Sequence, residues 1–370
     1  MVIAVSGARD TGRVRRVPVA ARTARRVRPR ATIVPRRAAY PRPMATPTDP
    51  RSLPVARRSR RPPAHRLRIV VVGDLVMDVV LAADRDLRRG TDITGKVLLR
   101  QGGSAASTAR WLGRTGARST LVCSIGRDAA GRALVAALAA DGVTVRAVRV
   151  AGVRTGRIGV FVEAGGERSF VTDRGAALRL RPEDLRAAWF AGAEVVHLPA
   201  YSLLDQPLGR AGMVAIRLAR EAGALVTVDL ASSGPLLAKG RRAALALIRE
   251  AAPDLLFATR DEAKALMGSK HEDGLLDLAP IAVVKRGRKG AAVLVRADGG
   301  NLRFEVATLP IKAADTTGAG DAFNAGFLAA WIQARRRGLS QPAALKRGAA
   351  AGNRLARRHL SHPQAEIGLV

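Results

Sequence analysis

The chain has 370 residues, enough for one large α/β domain or two smaller ones, and 48% of them are hydrophobic. Aromatic residues make up only 3%, so Ala, Val and Leu must fill the core. The single cysteine, Cys123, excludes an internal disulfide framework and a zinc site with several cysteines. No apolar run approaches the roughly 20 residues of a transmembrane helix, and no secretory hydrophobic region is evident. We therefore expect a cytoplasmic protein that does not enter a membrane.

Much of the net charge of +33 lies at the N-terminus. Residues 1–66 contain 18 arginines against two aspartates, without the period of a strand or a helix. Such a segment buries too little apolar surface to offset its ordering entropy, so a disordered basic tail is predicted. A misassigned start codon or a dispensable tail is favoured over a targeting peptide. Nucleic-acid binding by this tail is disfavoured, because arginine is preferred over lysine along the whole chain.

From Leu67 onwards the pattern alternates between strands and helices. The predicted strands are 68–72, 119–125, 195–198, 225–229, 255–258, 281–285 and 292–296. The predicted helices are 104–115, 129–140, 205–222, 240–250, 260–267 and 318–336. This alternation indicates a three-layer α-β-α fold with a mainly parallel central sheet.

One pair of predicted strands interrupts this alternation. Residues 157–163 and 167–172 flank an Ala-Gly-Gly turn at 164–166, which is typical of a hairpin. The hairpin predicts a small separate sheet that projects from the main one.

The most informative motif is Asp-Thr-Thr-Gly-Ala-Gly-Asp-Ala-Phe at residues 315–323. It follows an extended segment, 302–312, and opens a helix. The free N–H groups of a helix start, together with the helix dipole, attract an anion such as phosphate. Asp321 would place a carboxylate beside this bound anion, and the two negative charges would repel each other. Its presence there therefore indicates a chemical role. Accepting the proton of an attacking hydroxyl is one such role; a plain turn and a helix-capping aspartate are the structural alternative.

This motif resembles the C-terminal signature of the ribokinase-like (PfkB) carbohydrate kinase family, and the resemblance covers about residues 67–358. It implies a ribokinase-like domain at 67–363 with a small β-sheet lid near 79–100 and 150–175. It also implies that the backbone of Gly318, Ala319 and Gly320 forms an anion hole for the transferred phosphoryl group. Asp321 is then the catalytic base.

The same resemblance implies the positions that bind the substrate. Asp78 is expected to hold substrate hydroxyls, and Gly102 and Gly103 to contact the substrate. Ser107 stands where the family usually has Asn, and a hydroxyl replaces only one of the two hydrogen bonds of an amide. Arg174 is a further candidate, either for an acidic or phosphorylated substrate or as an exposed lid arginine. Ala177 also replaces an Asn of many relatives.

For the cofactors, the resemblance implies ATP and Mg²⁺, and it admits a monovalent cation such as K⁺. Glu262 matches the acidic residue that holds Mg²⁺ through water, whereas Thr259 replaces the Asn of that motif. The residues expected to bind the nucleotide are Lys285, Gly287, Thr317 and Asn353. A Gly-x-Gly-x-x-Gly after the first strand and a P-loop are both missing from the sequence, which argues against a dehydrogenase and a P-loop ATPase.

The predicted activity is transfer of the ATP γ-phosphoryl group to a hydroxyl of a sugar or sugar-like substrate. A nucleoside kinase of the same fold and a non-catalytic sugar-binding regulator are the alternatives. By analogy with the family, a homodimer formed through the lid is expected.

Overall fold

The computed structural model describes residues 66–86, 89–163, 168–311, 313, 315–362 and 365–369. Apart from Arg66, the tail predicted at 1–66 lies outside the described residues, as do the turn at 164–166 and residue 363 of the predicted domain.

Strands and helices alternate along most of the described chain. The strands are β1 (Arg68–Val72), β2 (Val76–Ala83), β3 (Gly95–Gly102), β4 (Arg118–Gly126), β5 (Val143–Val150), β6 (Thr155–Val162), β7 (Arg168–Gly175), β8 (Val195–Pro199), β9 (Leu225–Asp229), β10 (Leu255–Thr259), β11 (Ile281–Lys285), β12 (Ala291–Val295) and β13 (Leu302–Val306). The α-helices are α1 (Ser104–Arg114), α2 (Ala129–Ala140), α3 (Tyr201–Leu204), α4 (Leu208–Glu221), α5 (Ser233–Leu237), α6 (Arg241–Ala251), α7 (Arg260–Met267), α8 (Ala319–Arg336) and α9 (Gln341–Leu360).

The large sheet has the order β13-β12-β11-β10-β9-β8-β1-β4-β5. Its strands from β11 to β5 in this order are parallel, and β12 runs antiparallel to both of its neighbours, β11 and β13. The inner strands are continuous apolar runs because helices cover both faces, as in β1, where only Arg68 is partly exposed. The predicted α/β class is thus confirmed.

The small sheet has the order β3-β2-β6-β7, with β2 and β6 parallel and the outer pairs antiparallel. Its strands fall in the two segments predicted near 79–100 and 150–175. The sequence did not single out β2, β3 or β5 as strands. Most of their residues are not buried, so none of the three has the continuous buried apolar run of the central strands.

The carboxyl ends of β9, β10 and β11 carry Asp229, Thr259 and Lys285 at one edge of the large sheet. Polar residues at this edge are typical of a binding site in an open α/β sheet. Helix α8 buries the stripe of Phe323, Phe327 and Trp331 in the core, as its spacing predicted. In the part of the chain that the structure describes, no helix is both long and apolar enough to cross a membrane.

Candidate active site

The turn before α8 presents a helix N-terminus to the edge of the large sheet. Gly318 is the N-cap and has a φ of +80°, a conformation that side chains with a Cβ adopt only with strain. A Cβ on Gly320 would lie 3.2 Å from Lys285 Nζ. The Lys285 ammonium group therefore lies against the loop that carries the predicted anion hole, and it adds positive charge to that of the helix dipole.

Asp321 lies in the first turn of α8, and Ser104 Oγ of α1 donates a 2.6 Å hydrogen bond to its Oδ1. Burial raises the pKa of Asp321 to about 8 against the effect of the Ser104 hydrogen bond, which lowers it. The negative charge of Asp229 raises this pKa further, whereas Lys285 lowers it. A carboxyl group with a pKa near neutral pH is suited to accept a proton.

Lys285 is held by a buried acid. Its Nζ lies 2.7 Å from Asp229 Oδ2, and Asn324 Nδ2 donates to the same oxygen at 2.6 Å. The Asp229 side chain is 2% exposed and that of Lys285 is 11% exposed. The carboxylates of Asp229, Glu262 and Asp321 raise the pKa of Lys285 against the effect of burial, so it is a cation at neutral pH.

The predicted substrate residue Asp78 lies on β2. Burial raises its pKa to about 7, and the charges of Asp74 and Asp315 act in the same direction. Its Oδ1 is buried and has no hydrogen-bond partner among the described residues. A Cβ on Gly102 would come within 1.9 Å of this oxygen, so Gly102 provides the space that the Asp78 carboxyl group occupies. Asp78 as a whole is partly exposed, so its carboxyl group can accept a hydrogen bond from a ligand hydroxyl.

Asp74 closes the other side of this region. Its Oδ1 accepts a 3.1 Å hydrogen bond from the backbone N–H of Ala105 at the start of α1. Gly103 has a φ of +97°, and a Cβ there would lie 2.5 Å from the Asp74 carbonyl oxygen. Arg174 Nη2 lies 3.9 Å from Asp74 Oδ2, and its guanidinium group stacks on the Tyr201 ring at 4.2 Å. Arg174 is thus largely buried and is not an exposed lid arginine.

A cavity of about 580 Å³ opens beside α8. Its walls are formed by Thr259, Arg260, Asp261, Lys285, Arg286, Gly287, Arg288, Gly290, Thr308, Leu309, Pro310, Ile311, Ala313, Thr316, Ala319, Gly320, Phe323, Asn353, Ala356, Arg357 and Leu360. The wall combines residues of the helix start and several cations with apolar side chains. Such a cavity suits a molecule with an anionic group and an apolar ring.

The residues predicted to bind the nucleotide differ in their relation to this cavity. Lys285, Gly287 and Asn353 line it, although the Asn353 side chain also donates to the Val306 carbonyl oxygen at 2.9 Å. Thr317 does not contribute to its described wall, which includes the neighbouring Thr316 instead. The hydroxyl of Thr317 accepts a hydrogen bond from Arg168.

Glu262 and Thr259 cap α7 together. Thr259 Oγ1 accepts from the Glu262 N–H at 3.2 Å, and Glu262 Oε2 accepts from the Thr259 N–H at 2.8 Å. Burial and the nearby charge of Asp229 raise the pKa of Glu262. The Thr that replaces the family's Asn is therefore a good helix cap.

The two other positions that depart from the family are Ser107 and Ala177. Ser107 accepts a 3.4 Å hydrogen bond from Gln101 Nε2 and lines a separate pocket of about 130 Å³ with His359 and Arg110. Ala177 is buried, with 1% of its surface exposed.

The sequence pattern did not single out Asp229, Asn324 or Ser104 as site residues. Asp229 carries the one signal that was available, since an acid ends a buried parallel strand. Asn324 and Ser104 meet their carboxylate partners only through contacts 95 and 217 residues apart along the chain. No local pattern reveals such contacts.

Known proteins share this fold and sequence. The family model for the pfkB family carbohydrate kinase matches residues 66–364. The chain is 30% identical to a probable fructokinase-3 of Arabidopsis thaliana over 242 residues, which are 61% of this chain and 68% of that protein.

Solved structures agree with this match. The crystal structure of adenosine kinase from Sinorhizobium meliloti has a TM-score of 0.69 and 26% identity, over 82% of this chain and 97% of that one. A fructokinase from Vibrio cholerae O395 with fructose, ADP and calcium ion has a TM-score of 0.67, 23% identity and coverages of 82% and 96%. A ribokinase II of E. coli with ATP and Mg²⁺ has a TM-score of 0.65, 21% identity and coverages of 80% and 94%. The last two structures are less than 25% identical to this chain, so they show only that the fold is shared. The family match covers most of the chain, and the chain therefore belongs to the pfkB family of carbohydrate kinases, phosphotransferases that act on a sugar hydroxyl.

Proposed function

We propose that Asp321 is the base that accepts the proton of the attacking sugar hydroxyl. The observation that carries this proposal is its place in the first turn of α8, beside the N–H groups of the Gly318–Gly320 turn. These N–H groups and the Lys285 ammonium group would stabilise the charge on the transferred phosphoryl group. Burial and neighbouring charges raise the pKa of Asp321 to about 8, which matches that of a base acting near neutral pH.

For the acceptor, we propose a neutral ketohexose such as fructose. The partly exposed carboxyl group of Asp78 would accept a hydrogen bond from one of its hydroxyls. A sugar phosphate is disfavoured, because it would be repelled by Asp321 in the ionised form that acts as the base, and because Arg174 is engaged with Asp74. A nucleoside is disfavoured because Arg174 covers the Tyr201 ring on which a base would otherwise stack. The fructokinase relative supports the same choice.

The second substrate would be ATP, bound in the 580 Å³ cavity with its γ-phosphate towards Gly320. Mg²⁺ normally binds through one or two carboxylates and the substrate phosphates. Glu262 supplies one carboxylate of this kind in the first turn of α7, next to Thr259, Arg260 and Asp261 of the cavity wall, so it fits the ion. When bound, Mg²⁺ would neutralise charge on the phosphates, with Glu262 as its contact through water. K⁺ stays a prediction.

The small sheet would cover the sugar and exclude water during transfer. Its exposed apolar residues Val97, Phe170 and Val171 support a homodimer formed through this sheet. Sedimentation of the protein with Val171→Glu should then show monomers where the unchanged protein shows dimers. A cytoplasmic location fits the single buried, free cysteine.

The decisive experiment compares the unchanged enzyme with the Asp321→Asn variant. Both are assayed with a panel of sugars, sugar phosphates, sugar acids and nucleosides. Asn keeps an oxygen that accepts from Ser104 but loses the basic group. We expect kcat to fall by about 10²- to 10⁴-fold while sugar binding, followed by calorimetry, persists. Asp298→Asn, in an exposed turn, is the matched control and should behave as the unchanged enzyme. Near-normal kcat in Asp321→Asn would contradict the assignment of the base, and preference for a nucleoside would contradict that of the acceptor.

A further inference from the structure

An aspartate next to the predicted anion hole joins two arginines of the small sheet. Arg168 Nη1 at the start of β7 lies 2.6 Å from Asp315 Oδ1. Arg100 Nη1 on β3 lies 3.2 Å from Asp315 Oδ2. The two strands are the opposite edges of the small sheet, yet both reach the same carboxylate. The arginine side chains are 11% and 17% exposed, so both are largely withdrawn from water.

The same aspartate shapes the turn that leads into α8. Asp315 Oδ1 accepts a 2.8 Å hydrogen bond from the Thr317 N–H, and Arg168 Nη1 donates to the Thr317 hydroxyl at 2.5 Å. On the other side, His359 Nε2 of α9 lies 2.6 Å from the Thr317 carbonyl oxygen. A carbonyl oxygen only accepts, so this nitrogen donates. Every polar group of Thr317 is therefore held, directly before Gly318.

We propose that Arg168 is a positioning residue for phosphoryl transfer, which fixes the anion-hole turn 315–320 when the small sheet lies over the active site. This inference rests on the proposed role of Gly318–Gly320. Arg168 acts through Asp315 and Thr317 rather than on the substrate. A turn whose N–H groups already point correctly stabilises the transition state without reorganising. Covering the sugar and completing the anion hole thus become one event.

The chemistry of arginine explains why one side chain performs both tasks. Nη1 carries two N–H groups, so this one nitrogen reaches both the carboxylate and the hydroxyl. Lysine retains the charge on a shorter and more flexible stem and so restores these contacts only in part, whereas methionine retains only the apolar stem. The activities of the two variants should therefore separate charge from bulk.

The test compares Arg168→Met and Arg168→Lys with the control Arg157→Met in the full-length enzyme. Arg157 lies on β6 of the same sheet, and its side chain is exposed. We expect Arg168→Met to lower kcat about 10- to 100-fold, because this factor corresponds to the free energy of a hydrogen bond to a charged group. The Kd for ATP without sugar should change little, and Arg168→Lys should recover part of kcat. Arg157→Met should retain the kcat of the unchanged enzyme.

A double-mutant cycle with Asp315→Asn completes the test. Asn keeps an oxygen for the Thr317 N–H but removes the charge that Arg168 pairs with. If the inference is right, Arg168→Met and Asp315→Asn together lower kcat by less than the product of their separate effects. For the control pair Arg157→Met and Asp315→Asn, the two effects on kcat should simply multiply. Unchanged kcat in Arg168→Met, or a loss fully matched by loss of ATP binding and thermal stability, would overturn it. If the unchanged enzyme phosphorylates no sugar, the proposed function fails instead, so the two failures are distinguishable.

Discussion

Ser104 and Asp321 join the starts of two helices across the active site: Ser104 Oγ in the first turn of α1 donates a 2.6 Å hydrogen bond to Asp321 Oδ1 in the first turn of α8. The bond favours the ionised carboxylate and so lowers the pKa of Asp321. Burial acts more strongly in the opposite direction, and the pKa rises to about 8. The base is thus largely protonated at pH 7 and largely ionised at pH 9.

The pH dependence of the reaction should report this pKa. Because the ionised form of Asp321 is the base, kcat/KM for the sugar should increase as pH rises, reach half its maximum near pH 8 and level off about one pH unit higher. The measurement is kcat/KM between pH 6 and 9.5 at saturating ATP and Mg²⁺. A profile that is flat from pH 6 upwards would contradict the raised pKa. The Asp321→Asn variant, assayed at its residual rate, should lack the increase centred near pH 8 and keep only the contribution of Asp78, whose pKa is about 7.

Ser104→Ala should move the same increase in kcat/KM to higher pH. Without the hydroxyl the ionised carboxylate loses a hydrogen bond, so the pKa of Asp321 rises further and the rate at pH 7 falls. At pH 9.5 the rates of variant and unchanged enzyme should approach each other. The control is Ser361→Ala, since Ser361 is exposed and bonds only the end of α9. If Ser104→Ala lowers kcat/KM by the same factor at every pH, the serine positions Asp321 without changing its pKa.

Much of the fold and the start of α8 could be predicted because the sequence patterns that indicate them are local. β1, β9, β11, α2 and α7 have the predicted bounds, since an apolar run or an amphipathic stripe with a clear stop needs no distant partner. The small-sheet strands β2 and β3 were less visible. Their half-exposed residues take their pattern from a partner strand rather than from the core.

The interactions of the site were less predictable than its residues. Lys285 was expected near the nucleotide, but its partner Asp229 depends on how β9, β10 and β11 align. Thr317 was expected to contact the nucleotide, and its hydroxyl instead meets Arg168, 149 residues away. Such contacts are decided by the order of the strands and by which residues of the small sheet meet the turn before α8. Neither of these can be obtained from the spacing of residues along the sequence.

Gly102→Ala should weaken sugar binding specifically. The new Cβ would fall 1.9 Å from Asp78 Oδ1, so the carboxyl group must turn away from the position in which it would accept a hydroxyl. The loss of one hydrogen bond to a charged group predicts a KM for sugar that is about 10- to 100-fold higher. The KM for ATP should stay nearly constant. Gly299→Ala is the control, because its Cβ would meet no atom within 4 Å. Equal increases in both KM values would contradict a role for Asp78 in binding the sugar.

Lys285→Met should lower both stability and activity, and a second substitution should separate the two effects. The variant leaves the Asp229 carboxylate, 2% exposed, without its cation, and breaking a buried pair costs about 3–5 kcal/mol of unfolding free energy. Adding Asp229→Asn removes the stranded charge, while the new amide still offers an oxygen to Asn324 Nδ2. The double variant should therefore regain most of the stability in urea unfolding. Its kcat should remain at least about tenfold low, because the cation beside Gly320 is still missing. If kcat recovers together with stability, Lys285 supports the fold and takes no part in stabilising the phosphoryl group.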